Sequence, residues 1–125
     1  MKSKAKTLIL TGGVLNSLMA LFHIFLGYQI YSAYSGKDFY PLMQMLNVGG
    51  SLMIFFFAYT SLAYARELLN SKTGRSVIIL NILLYLARAI GEVVLFMQPK
   101  ILIIVICFVI SGIYSTAFFL RTNEK

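Results

Sequence analysis

Arg88 and Glu92 stand four residues apart inside the apolar stretch LARAIGEVVLFM, which places them one turn apart on a single face if the stretch is helical. A charge presented to lipid at mid-membrane costs about 2.5 to 3.5 kcal/mol. A guanidinium and a carboxylate that neutralise each other lower that cost and need a few further hydrogen bonds. Asn81 and Tyr85 fall on the same face at steps of four and three. Intramembrane ionisable groups point first to a site, and an ion pair that only fixes helix packing is the alternative.

His23 is the only histidine. Its imidazole could relay a proton with Glu92, ligate haem axially, or serve as a hydrogen-bonded packing group. Bis-histidine haem would need a second histidine from another subunit. Asn16, Gln44 and Asn47 are amides of the kind that join membrane helices, worth about 0.6 kcal/mol each on average. No H-x-x-x-H, no carboxylates at metal spacing and no Ser-His-Asp set is present, so no metal site and no catalytic residue is expected, and an enzyme is the less favoured reading. Cys107 has no partner for a disulfide and reads as a small packing residue.

These side chains need elements to hold them, and hydropathy supplies four. The 125 residues are 59% apolar and 12% charged, far from the mix of a soluble domain. Apolar runs at 7–31, 42–65, 76–97 and 101–120 are each near the length of about 20 residues that crosses about 30 Å of hydrocarbon. The expected fold is all-α: one integral membrane domain over 1–125, an up-down-up-down four-helix bundle with no room for a soluble catalytic domain. Its first run is too long for a signal-peptide core and holds Asn16 and His23, so it reads as a true span.

Charge orients the spans. The net charge of +7 does not form a basic face for nucleic acid, which is not an expected partner. If four spans alternate, Lys2, Lys4, Lys6, Arg66, Lys72, Arg75, Arg121 and Lys125 share one side, against Lys37 and Lys100 on the other. The positive-inside rule then puts both termini in the cytoplasm, in a bacterial inner membrane, with anionic lipid headgroups facing the basic side. Tyr28, Tyr31, Tyr34 and Tyr40 mark the outer boundary; Tyr59, Tyr64 and Tyr114 mark the inner one.

The loops are short. Pro41 opens the second helix, NSKTGR turns with Gly74 left-handed and Ser76 as a cap, and QPK makes the last turn. ARELL, 65–69, finishes the second helix.

Small and polar residues choose packing faces in lipid. Gly13, Asn16, Ala20, His23 and Gly27 stripe the first span; Gln44, Asn47, Ser51, Ala58 and Ser61 the second; Asn81, Tyr85, Arg88 and Glu92 the third; Cys107, Ser111 and Ser115 the fourth. The polar groups gather in the outer half. The expected ligand-binding set is Arg88, Glu92, His23, Asn47, Gln44 and Tyr85, with Arg88 anchoring an anionic or carbonyl group of a small molecule or lipid. An accessory or scaffold subunit, assembling with itself or a larger membrane complex, is the first alternative. A proton or electron carrier using His23, Glu92 and a quinone or haem is the second.

Overall fold

Both prolines fall outside the apolar interiors, so each long run can keep its backbone hydrogen bonds to itself. The computed structural model describes residues 2–95 and 97–122, with side chains from 4 to 95 and from 97 to 121. Its elements are all helical: α1 Lys2–Tyr34, α2 Tyr40–Ala63, α3 Ala65–Asn70, α4 Lys72–Leu95 and α5 Ile101–Thr122. Four of them, α1, α2, α4 and α5, are long and apolar enough to cross a membrane. Lys125, counted above on the basic side, lies outside the described residues.

The helices overrun the apolar runs at most ends, because hydropathy marks where lipid is tolerated and capping marks where a helix stops. Two local expectations are corrected. The segment 65–69 does not finish the second span: Tyr64 leaves helical geometry at φ −125, ψ 34, and α3 starts after it. The face of α3 bearing Ala65, Leu68 and Leu69 is buried while Arg66 and Glu67 are exposed, so the break lets a short amphipathic helix fold its apolar side onto the bundle.

Gly74 is not left-handed, and no described glycine has positive φ. It sits within the first turn of α4, where an added Cβ would lie 2.4 Å from the Glu67 carbonyl oxygen and the Leu68 Cα. The glycine is needed for close approach of α3 to α4. Ser71 is the cap in place of Ser76: its hydroxyl accepts from the Gly74 N–H at 2.8 Å and donates to the Glu67 carbonyl at 2.8 Å. Pro41 does occupy the opening turn of α2.

Helix α1 packs against both α2 and α5, and α5 packs against α4, whereas α2 and α4 hardly meet among the described residues. Glycines make the close contacts: Gly12 faces the Tyr114 ring, Gly13 faces Ser61 and Leu62, and Gly27 faces Asn47. The apolar core runs through Ala5, Ile9, Ile78, Tyr85, Cys107, Ile110, Tyr114 and Ala117, closed below by Leu68 and Leu69 of α3. Most remaining large apolar side chains are exposed.

Candidate functional site

The six expected site residues fall into three sets. Tyr85 belongs to a hub in the core. Its hydroxyl donates to Asn16 Oδ1, Asn16 Nδ2 donates to the Tyr114 hydroxyl at 2.8 Å, and the Tyr114 and Ser61 hydroxyls are 2.6 Å apart. All four long helices thus contribute one group. Asn16 is 0% exposed and Tyr114 is 1% exposed, so each of these bonds replaces one that water cannot supply. Asn81 is equally buried and lies beside the Tyr114 hydroxyl, though neither of its amide atoms meets hydrogen-bond geometry.

Tyr114 corrects its placement in a boundary belt. It continues the α5 core stripe of Cys107, Ile110 and Ala117, and the missing side chain at Gly12 makes room for its ring. That stripe was visible in the spacing 107, 110, 114, 117, but tyrosine near a span end reads by default as an interfacial anchor.

His23, Gln44 and Asn47 form the second set, along the α1–α2 seam. Gln44 Nε2 donates to the Gly27 carbonyl at 2.9 Å and Asn47 Nδ2 donates to the His23 carbonyl at 3.1 Å. Two amides one turn apart on α2 therefore grip two carbonyls one turn apart on α1. Gly27 permits this, since a Cβ there would lie 3.0 Å from Asn47 Nδ2. His23 Nδ1 lies 2.9 Å from the Met19 carbonyl, to which it can only donate, leaving Nε2 of the neutral ring as an acceptor. Asn47 Oδ1 is a buried acceptor without a donor.

A groove of about 380 Å³ follows this seam. Ala20, Ile24, Val48, Leu52 and Phe55 give it apolar walls, and His23, Gly27, Gln44, Asn47 and Ser51 bring the polar atoms. Its size falls in the range of about 300 to 1,000 Å³ typical of small-molecule sites.

Arg88 and Glu92 form the third set. Arg88 Nη1 meets Glu92 Oε2 at 2.7 Å, and Glu92 Oε1 accepts the backbone N–H of Lys100 at 3.0 Å. The Glu92 side chain is 3% exposed and that of Arg88 is 44% exposed. Lys100 precedes α5, so its N–H is one of the donors a helix start leaves without an internal partner, and a carboxylate there also complements the helix dipole. The further hydrogen bond that Glu92 needed comes from this backbone group. Sequence gave no sign of it, because any residue at position 100 other than proline offers the same N–H.

Arg88 does not line the α1–α2 groove, and among the described residues no three His, Cys, Asp or Glu side chains converge as metal ligands. The groove is open along one side and can take an apolar chain along its walls, with the His23 ring at its edge, while both Glu92 oxygens are already engaged. In comparisons with known proteins, no family model, no curated protein and no solved structure matches this chain.

Proposed function

We propose that this is an integral membrane protein with up-down-up-down spans and both termini cytoplasmic, and that its α1–α2 groove binds a small amphiphile or lipid in the outer half of the membrane. Four apolar helices support the membrane reading, as do the contacts that set Gly13 beside Ser61 and Gly27 beside Asn47, the pattern of neighbours running in opposite directions. The observation that carries the binding reading is the groove itself, apolar along its walls and polar at His23, Asn47 and Gln44. The acceptors there favour a headgroup that donates, such as a hydroxyl or amine. This reading departs from the expectation of an anionic or carbonyl group held by Arg88.

The test uses purified full chain in detergent, with monoolein as a hydroxylated probe and methyl oleate as its donor-free counterpart. Monoolein should raise the thermal midpoint more than methyl oleate does. Asn47→Leu, and Ser51→Leu, which fills the groove without removing an amide, should abolish the difference; Arg88→Ala should keep it. Loss of the difference in Arg88→Ala alone would place the site at the ion pair and contradict this reading.

A second reading, assembly with a partner, is favoured by one observation. Gly49 in α2 and Gly112 in α5 have nothing within 4 Å of where a Cβ would sit. Small residues on lipid-facing surfaces let helices of different subunits approach. Gly49→Leu should then dissociate a complex isolated from native membranes, and an unchanged elution profile would count against assembly through that face.

A further inference from the structure

Arg121 is out of place for a surface charge. It continues the core stripe of α5, one turn beyond Ala117, and is 9% exposed. Its Nη1 is buried without a hydrogen-bond partner, and so is Nε of Arg75 in the first turn of α4. Helices α4 and α5 pack with the end of the first against the start of the second, Glu92 beside Lys100, so the first turn of α4 and the last turn of α5, with Arg75 and Arg121, come to the same end of the protein. No described carboxylate is ion-paired with either: Glu92 is engaged with Arg88 at the far end of α4, and Glu67 on α3 is exposed. Two like charges with buried, unpaired donors carry both a desolvation cost and a repulsion. The positive end of the α4 dipole adds to the same field.

We propose that Arg75 and Arg121 form an anion site at the base of α4 and α5 that takes a phosphate group. Phosphate oxyanions match the planar fork of guanidinium donors, and a basic pocket between spans on the cytoplasmic side is where anionic headgroups dock. Such a ligand satisfies both unpaired donors and screens the two cations from each other. The phosphate can belong to a lipid headgroup or be free in solution; either chemistry fits the donors. The site is distinct from the α1–α2 groove and stands whether or not that groove binds anything.

The experiment measures thermal unfolding of the full chain in detergent with added phosphatidylglycerol, phosphatidylcholine or inorganic phosphate, and titrates the protective species. A protective anion should bind about tenfold more weakly to Arg121→Gln and to Arg75→Gln, since each loses charge-assisted hydrogen bonds. Arg66→Gln removes the same charge from the exposed face of α3 and should bind as wild type does. Protection by phosphatidylglycerol alone assigns the site to a lipid headgroup, and equal protection by inorganic phosphate assigns it to a free anion. If Arg66→Gln weakens binding as much as the other two, or if no anion separates wild type from Arg121→Gln, the site does not exist. Should Arg121→Gln fail to fold, Arg75→Gln and Arg121→Lys supply the comparison.

Discussion

At the scale of residues, the hydroxyl of Tyr114 joins α5 to α1 and α2, taking a hydrogen bond from Asn16 and sharing another with Ser61, while Asn16 carries the link to Tyr85 of α4. Removing it strands buried partners, at a cost set by two competing figures. A buried group left unsatisfied costs about 1 to 3 kcal/mol, whereas interhelical hydrogen bonds in membranes average about 0.6 and reach about 1.7. With two partners lost together, Tyr114→Phe should destabilise by about 1 to 2 kcal/mol in reversible unfolding from detergent. Asn81 gives a milder case: its buried amide lies beside the Tyr114 hydroxyl without meeting hydrogen-bond geometry, so Asn81→Leu should cost less than Tyr114→Phe in the same assay. Gly12 and Gly49 form a similar contrast. A Cβ on Gly12 would lie 2.6 Å from the Tyr114 ring, and overpacking of about 1 to 3 kcal/mol outweighs the helix propensity gained. Gly49→Ala meets nothing within 4 Å and should gain up to about 1 kcal/mol. The amides and the small residues were legible in the sequence as one stripe per span. The identity of their partners was not, since a stripe gives a direction and leaves open which atom on the facing helix is met.

At the scale of elements, two connections are held by specific polar groups. Ser71 caps α4 through the Gly74 N–H, and Ser71→Ala should cost about 1 kcal/mol, with faster amide exchange confined to the first turn of α4. Glu92 clasps the α4–α5 turn by holding the Lys100 N–H. Glu92→Gln keeps an acceptor for that donor and Glu92→Ala does not, so exchange of the Lys100 amide should accelerate markedly in the alanine variant and little in the glutamine one. Equal acceleration in both would mean that the charge pair with Arg88, and not the backbone bond, holds the turn. The long helices were legible because 20 apolar residues leave the backbone no other way to satisfy its hydrogen bonds in lipid. The break at Tyr64 was not, because the residues around it suit a helix and the interruption arises from packing α3 against α1 and α4.

At the scale of the whole molecule, polar groups divide the protein between a closed half and an open one. The half holding Asn16, Ser61, Tyr85 and Tyr114 is tied across all four long helices. Toward the α1–α2 loop the helices are joined in pairs, α1 to α2 through Gln44 and Asn47 and α4 to α5 through Glu92, while α2 and α4 hardly meet. Sequence gathered the polar residues into one chamber, whereas they fall into separate sets with Arg88 half exposed, because spacing along each helix says nothing about how far apart two helices stand. Topology is open to direct measurement. Cys107 is buried, so single cysteines at positions 37 and 72 can be read against it with an impermeant thiol reagent in intact cells. Position 37 should label from outside and position 72 only after the membrane is opened; the reverse pattern would invert the molecule.

The binding groove is tested most directly by photo-crosslinking with a diazirine-bearing monoacylglycerol in reconstituted bilayers, followed by peptide mapping. Labelling should concentrate in 20–27 and 44–55, the stretches that line the groove, and unlabelled monoolein should displace it. The start of α5, where Ile101 is 74% and Leu102 is 71% exposed, should label only at the level of bulk lipid. Equal labelling of both regions, undiminished by competitor, would show a surface that lipid merely surrounds and would contradict the account.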